Sequence, residues 1–463
     1  MEDLSVRLVT WNVNEQSPLL EDDFSSLLQN ERNEKHDLII FGFQEINSMP
    51  QNYVMDFMVT GEDSWNQVFK YEPRVFTHNS IMFRFLCFRS KLNSKGYVKV
   101  NTIRTLGIVL TIFSLKKHLI HFRNIETQYT KLAFGGYWGS KGAVSIRFNL
   151  YGVSFCFLNC HLHAHDENLQ ARIDGYESIV ETHLYKNTDT PNILYHDYIF
   201  WMGDLNFRLI ENSFTHDEIV MLIKRDQLEI LHKHDQLFET QSHLGKINEL
   251  KEGMDPLFPP TYKFKLGTQD YDPKRRPAYT DRILHRVNIH NYENVKLNAK
   301  QISYESHPEF VCSDHKPVSA NFKIGVFNRE SAIERKISLY DGIVTFVQPE
   351  KWIIGKDGMI YYDVIKGVGP TNLGSWDWIA LFKAGFTSLQ EFITFTWASS
   401  CKLTGVTKNA IIMDSALNIP GDYVLIYFSA NKSILGISDP FPLVYDNVCD
   451  KAEEATNQRI GEL

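Results

Sequence analysis

The sequence predicts an α/β domain over residues 1–328, an all-β, immunoglobulin-like sandwich over 329–446 and a polar tail at 447–463. Three observations carry this. Up to about residue 325, strand-like and helix-like segments alternate. From about 343 to 445 only short strands and turns remain, with no helical periodicity. And 463 residues exceed what one ordinary hydrophobic core organises.

The first domain opens on VRLVTWNV (6–13), followed by DLIIFGFQEI (37–46) and LGIVLTIF (106–113). Next come AVSIRFNLYG (143–152), VSFCFLNCHL (153–162), DYIFWMGDLN (197–206) and PVSANFKI (317–324). Several are unbroken apolar runs, as expected of strands buried on both faces. A helix is predicted over 167–185, where Leu169, Ile173, Tyr176, Ile179, Val180 and Leu184 recur near helical spacing, and another over 215–231. In the second domain IVTFVQ, MIYYDVI, WDWIALFKA, FITFTWAS, AIIMD, DYVLIYFSA and ILGISDPFPLVYD read as strands. The turn signals KDG (356–358), GPTN (369–372) and PGD (420–422) separate them.

Composition narrows the class. An aromatic share of 13% suits pleated sheet faces. A net charge of -8 argues against a general nucleic-acid binder, although a compact anionic ligand answers only to local basic clusters. The six cysteines (Cys87, Cys156, Cys160, Cys312, Cys401 and Cys449) form no CxxC pair and suit a reducing, cytosolic compartment. Cys156 and Cys160 share one strand face and read as buried small hydrophobes. Glu2 and Asp3 lead straight into a strand without a signal-peptide pattern, and no run reaches the roughly 18 apolar residues of a membrane span. A cytoplasmic chain is the expectation.

The polar motifs fall where strands end, which is where layered α/β proteins place their sites. WMGDLNFR (201–208) sets Asp204 and Asn206 two apart at a strand end, so both project the same way. CSDHKPVS (312–319) places Asp314 and His315 before an apolar strand, GFQEIN (42–47) places Glu45 directly after one, and WNVN (11–14) adds Asn12 and Asn14. PAYTDRIL (277–284) supplies Asp281. Together they compose a hydrolytic site. Glu45 with Asn12 can hold a hard Mg²⁺, which takes oxygen ligands. Asp204 orients or deprotonates a water, and Asn206 hydrogen-bonds a phosphoryl oxygen. His315 as imidazolium donates to phosphate, with Asp281 as the carboxylate that keeps it charged and Asp314 supporting the loop. GSKG sets Lys141 in a glycine-flanked turn that permits close approach. HLHAH (161–165) admits a zinc reading, since His161, His163 and His165 alternate onto one strand face, but the surrounding carboxylates and amides favour Mg²⁺ and leave His163 at the rim.

Singly these motifs are weak; their order is not. WNVN, FQEI, GSKGAV, NCHLHAH, WMGDLNFR, FPPTYKF, PAYTDRIL and SDHKPVS, over about residues 5–325, resemble the inositol polyphosphate 5-phosphatase catalytic domain. SWDWIALFKAG (375–385) and ILGISDPF (434–441) resemble a SKICH domain. The resemblance implies a four-layer DNase-I-like α/β sandwich and Mg²⁺-dependent removal of the 5-phosphate from PI(4,5)P2, PI(3,4,5)P3 or soluble inositol polyphosphates. Carried over by motif, Asn12 and Glu45 sit at the metal, Asp204 and Asn206 at the attacking water, and Asp281 beside His315 at the scissile phosphate. His161 joins the pocket, and Tyr262 and Lys263 of TYKF, helped by Arg275, meet the 4-phosphate. The implied partners are a phosphoinositide headgroup at a membrane surface and a protein bound by the SKICH-like domain. The chain is expected as a monomer, recruited peripherally to the plasma membrane or endoplasmic reticulum, with no nucleic-acid partner.

Four departures from the family pattern fall at motifs read as substrate-facing: Ser140 for Asn, Lys265 for Asp, Tyr279 for Trp, and a segment between Tyr271 and Pro277 shorter by about three residues. In the second domain Trp376, Trp378, Phe382, Phe392, Phe395 and Trp397 are expected chiefly as sandwich core, and no Lys/Arg run there proposes direct lipid binding. The competing readings are a DNase-I-like nuclease or sphingomyelinase, and a silent scaffold.

Overall fold

The computed structural model describes residues 3–16, 24–28, 35–46, 92–105, 107–134, 137–288, 297–326, 343–364, 374, 376–398, 408–412 and 417–446. The chain divides into two compact units, Met1–Lys336 with Thr387–Gln390, and Ile337–Phe386 with Glu391–Leu463.

The first unit is built on two sheets. One runs β10 (Ala299–Ser306), β11 (Val318–Gly325), β1 (Asp3–Asn12), β2 (Leu38–Gln44), β4 (Ile108–Leu115) and β3 (Tyr97–Thr105). The other runs β5 (Phe122–Phe134), β6 (Tyr137–Leu150), β7 (Val153–His161), β8 (Tyr198–Asp204) and β9 (Asp281–Val287). The pairs β1·β2 and β7·β8 are parallel and sit centrally, buried on both faces, which is why their sequences read as unbroken apolar runs. Side-chain alternation then sorts the layers. Phe200 meets Phe322 of the facing sheet at 5.0 Å, ring edge to face. Its neighbour Trp201 points the other way, joining Leu158 and Cys160 under Tyr176 and Ile179 of helix α2 (Leu169–Thr182). On the opposite outer face, Trp11, Phe41, Phe43 and Phe113 pack with Leu27 and Leu28 of the short helix α1 (Ser25–Leu28). This is the layered DNase-I-like fold. Cys156 and Cys160 are fully buried free thiols.

Among the described residues of the first unit, four strands exceed the sequence expectation: β3, β5, β9 and β10. β9 reads DRILHRV, and its buried Arg282 and His285 break the apolar pattern that marks a buried strand. The helix expected over 215–231 is two, α3 (His216–Lys224) and α4 (Leu228–Lys233). Asp226 takes a left-handed φ of 55° between them, which ends the first and redirects the chain.

The second unit holds a sheet of β12 (Val344–Val347), β14 (Gly358–Val364) and β17 (Lys408–Ile412). A larger sheet runs β13 (Trp352–Ile353), β20 (Phe441–Val444), β18 (Gly421–Phe428), β15 (Trp378–Lys383) and β16 (Thr394–Trp397), with β19 (Ile434–Ile437) paired to β18. Ile360, Tyr362, Ile379, Leu381, Leu425 and Tyr427 close one core between them. The GPTN turn and the tail from 447 lie outside the described residues. The six aromatics divide: Phe382 is core, whereas Trp376, Phe395 and Trp397 are 70%, 45% and 53% exposed. The expectation of core placement therefore fails for these three. Trp376 and Trp397 meet instead as an edge-to-face pair at 5.7 Å on the surface.

Candidate active site

The site arises where the strands of both sheets end together. In register across the five-stranded sheet, Gly142 pairs with His161, His161 with Asp204, and Asp204 with Asp281. Across the other sheet Asn12 pairs with Gln44, so Glu45 emerges one residue beyond. His315 precedes β11, whose Val318 pairs with Thr10. Six candidate residues, Asn12, Glu45, His161, Asp204, Asp281 and His315, scattered over three hundred positions thus converge because strand register aligns the strand ends that carry them.

Asp204 is the hub. Its Oδ2 accepts from Asn12 Nδ2 at 2.9 Å and lies 3.2 Å from His161 Nε2, while its Oδ1 accepts from the Asn206 backbone N–H at 3.1 Å. Burial works against its charge, but His315, His161 and Lys141 outweigh that and hold the carboxyl well below the usual carboxylate range. Glu45 Oε1 stands 3.6 Å from His161 Nε2 at the more open end. Lys141 Nζ lies within hydrogen-bond reach of the same nitrogen. Burial lowers the Lys141 pKa, with the Arg208 charge adding to the effect, and burial followed by Lys141 lowers that of His161.

His315 Nδ1 donates to Asp281 Oδ2 at 2.9 Å. That same oxygen accepts from Thr261 Oγ1 at 2.7 Å and Thr280 Oγ1 at 2.9 Å. Burial opposes the imidazolium, yet the Asp281 and Asp204 charges overcome it and raise the His315 pKa to about 9. Ser313 Oγ donates to the Asn12 carbonyl at 2.7 Å and accepts from the His315 N–H at 3.2 Å, tying the histidine loop to β1. Two of these residues adopt left-handed backbone, Glu45 at φ 52° and Asn206 at φ 58°. Asn tolerates that region; Glu rarely does.

The ring-recognition candidates are less united. Tyr262 packs against His315 with ring centroids 4.5 Å apart and planes tilted by 42°, and Lys263 Nζ pairs with Asp314 at 2.8 Å. The Phe264 N–H binds the Asp314 carbonyl at 2.9 Å, so Asp314 fixes the TYKF loop. Arg275 is exposed and makes no side-chain contact with the cluster among the described residues. Its neighbour Arg276 donates to the Leu209 and Ile210 carbonyls at 2.9 and 3.0 Å and is anchored there. Tyr279 is fully buried, and its hydroxyl has no hydrogen-bond partner among the described residues, so this departure does not face substrate as expected from the motif. Lys265 is exposed, and the Ser140 side chain lies outside the described residues.

The three-histidine zinc reading fails on geometry. β7 ends at His161, so the strand alternation it required stops there. His163 is 7% exposed rather than a rim residue, and His165 is exposed at φ 77°. Glu45, His161 and Asp204 instead bring ligand atoms within 4.8 Å of one another. Two of these three ligands are carboxylates, which fits a hard divalent cation, while Asn12 turns its Nδ2 toward Asp204 and its Oδ1 accepts from the Asn14 N–H at 3.0 Å.

Motif reading missed Arg208, Thr261, Thr280 and Ser313. The threonines and Ser313 sit one to twenty residues from the groups they orient, and only the fold reveals the pairing. Arg208 carried a signal, since it ends the WMGDLNFR motif.

A family profile described as Endonuclease/Exonuclease/phosphatase family 2 matches residues 9–321, and a SKICH domain profile matches 344–443. The human phosphatidylinositol 4,5-bisphosphate 5-phosphatase A is 33% identical over 95% of this chain, which spans 41% of that relative's length. The mouse inositol polyphosphate 5-phosphatase K is 32% identical over 95% of this chain and 90% of its own. Among solved structures, the inositol polyphosphate 5-phosphatase domain of SPsynaptojanin, in complex with inositol (1,4)-bisphosphate and calcium ion, aligns with a TM-score of 0.56. That alignment is 27% identical and covers 72% of this chain and 88% of that one. A Cimex nitrophorin ferrous NO complex also aligns, with a TM-score of 0.52, 23% identity and coverage of 70% of this chain and all of that one. It shares the fold alone.

Proposed function

Because the chain belongs to the inositol polyphosphate 5-phosphatase family, with a SKICH domain after the phosphatase fold, we propose that it is a Mg²⁺-dependent phosphoinositide 5-phosphatase. Its proposed substrates are PI(4,5)P2 or PI(3,4,5)P3 and, in the same pocket, soluble inositol polyphosphates. The fold does not decide this, since a nitrophorin shares it. What supports it is the pair of clusters meeting at one place: a half-buried Glu45 with buried His161 and Asp204 on one side, and buried Asp281 and His315 on the other.

Glu45 and Asn12 would hold Mg²⁺, with Asp204 and His161 next to it. The ion, when bound, offsets charge on the phosphoryl oxygens. The rest falls to the chain. Asp204, kept ionised by its neighbours, is a weak base and serves better to orient the attacking water than to strip its proton. Asn12 Nδ2 fixes one oxygen of that carboxylate and the Asn206 N–H the other. His315 enters as imidazolium: Nδ1 is committed to Asp281, which leaves Nε2 to donate to the phosphoryl group as charge builds on it. Lys141 and Lys263 supply cations for the ring phosphates, the first half-buried beside His161 and the second on the TYKF loop. Arg275 reaches the ring only from the solvent side.

No helix among the described residues is long and apolar enough to cross a membrane, which suits peripheral recruitment to the lipid. The SKICH domain is the proposed protein-binding part, and the chain is proposed to act in the cytoplasm as a monomer.

The test is phosphate release by the purified chain from PI(4,5)P2 vesicles, PI(3,4,5)P3 vesicles and inositol 1,4,5-trisphosphate, with plasmid DNA as the competing substrate. Release from an inositol substrate, lost with EDTA, restored by Mg²⁺ and absent in Asp204→Ala, is the expected result. DNA cleavage with no phosphate release would end this reading in favour of a nuclease.

A further inference from the structure

Arg208 ends the WMGDLNFR motif and is 4% exposed. A buried guanidinium needs partners, and its partners are informative. Nε donates to the Asn206 carbonyl at 3.1 Å, and Nη2 donates to the Asn206 side-chain Oδ1. One planar group therefore clips both the backbone and the amide of a residue held at a left-handed φ of 58°. The same guanidinium covers the Tyr262 ring, 4.4 Å from its centroid. That ring packs on His315 with centroids 4.5 Å apart and the planes tilted by 42°, and Tyr262 also bridges to His315 through the backbone. The base of Arg208 is fixed as well: its backbone N–H donates to Gln236 Oε1 at 3.0 Å, and the buried Arg172 donates to the same oxygen at 2.6 Å.

We infer that Arg208 is a positioning residue that sets the separation between Asn206 and His315, with the Tyr262 ring as spacer. The inference rests on the phosphatase reading, in which Asn206 serves the attacking side and His315 the phosphoryl oxygens. Asn206 follows a strand of one sheet and His315 precedes a strand of the other. The Arg208–Tyr262 contact is a physical line between them beside the Thr280 link, in which the Asn206 N–H donates to the Thr280 carbonyl at 3.3 Å and Thr280 Oγ1 lies 3.3 Å from His315 Nδ1. Arginine is required because the role needs a plane and a fork at once; a lysine ammonium keeps the charge but can neither stack flat nor clip two oxygens. Tyr262 thereby gains a second duty beside the ring contact proposed for it.

The experiment compares Arg208→Lys, Tyr262→Leu, Tyr262→Phe and the Arg208→Lys/Tyr262→Leu double variant with the full chain. The substrate is water-soluble dioctanoyl PI(4,5)P2 with Mg²⁺, and thermal melts are taken alongside. Arg208→Lys is expected to lose about 10- to 100-fold in kcat with KM within about threefold, and Tyr262→Leu a similar loss in kcat together with a raised KM from its proposed ring contact. The double variant should be no worse than the poorer single variant, because both break one line. Tyr262→Phe, which keeps the ring, should recover most of the kcat lost in Tyr262→Leu even if both melt alike. A raised KM with kcat retained in Arg208→Lys would show direct substrate contact and overturn the inference. Multiplying losses in the double variant, or no recovery with Phe, would overturn it too. A wild-type chain that releases no phosphate would sink the functional reading, whereas an active wild type matched by Arg208→Lys sinks the positioning role alone.

Discussion

Among single residues, the site divides into those that motif order exposes and those that only the fold supplies. Asp204, His315, Glu45 and Asp281 stand in short motifs at strand ends, and the structure brings them together. Thr261 and Thr280 are ordinary loop residues until register sets both hydroxyls on one oxygen of Asp281. Tyr279 misled for the converse reason, since a position inside a site motif is not a position facing the site. Charge coupling gives a test at this scale. The His315 pKa of about 9 means the imidazolium persists through neutral pH and is lost only as pH rises through 9. Asp281→Asn removes the carboxylate that most favours the charged ring, so the alkaline limb of the kcat profile should move down by at least one pH unit. An unmoved limb would assign it to another group.

Among the elements, buried polar groups explain what patterning could not show. β9 was hidden because Arg282 lies in its interior, neutralised by Asp235 at 2.8 Å and by Glu252. Where patterning is clean, as in β7 and β8, sequence and structure agree closely. These two strands also carry a steric requirement: Gly203 sits at φ 143°, and a Cβ there would fall 2.0 Å from the Cys160 carbonyl oxygen. Gly203→Ala should cost more than about 3 kcal/mol of stability, measured by urea unfolding, and displace Asp204 beside it. A second prediction concerns the junction of β5, β6 and the end of α2. His183 is clasped there by Thr130 and Ser145, and His196 accepts from Arg147 at 3.1 Å. Burial pushes both pKa values down to about 3, so between about 3 and the unfolded value of 6.5 the unfolded chain binds more protons. Stability should therefore fall as pH drops below 6.5, and His183→Gln should flatten that slope. A slope unchanged in the variant would assign the acid sensitivity elsewhere.

For the molecule as a whole, the sequence changes from mixed to strand-only patterning, and the chain divides into two compact units near there, with Thr387–Gln390 grouped with the first, which patterning gave no sign of. The surface of the second unit was not legible either, because a Trp on a strand looks the same whether its face meets a core or water. Each unit has a core of its own, so unfolding should proceed in two transitions. Leu425 is fully buried in the second core, and Leu425→Ala should lower one transition by about 2–5 kcal/mol while leaving the other and kcat unchanged. A single transition shifted as a block would show that the two cores unfold as one.

The left-handed backbone at Glu45 has a further consequence, one of engineering. A non-glycine residue held there costs about 1–2 kcal/mol, at a position whose carboxylate is proposed to hold the metal. Glu45→Gly should therefore raise the melting temperature and silence the protein together. Selection for heat resistance alone would drift toward that exchange, so any thermostability screen on this scaffold has to score turnover in the same well.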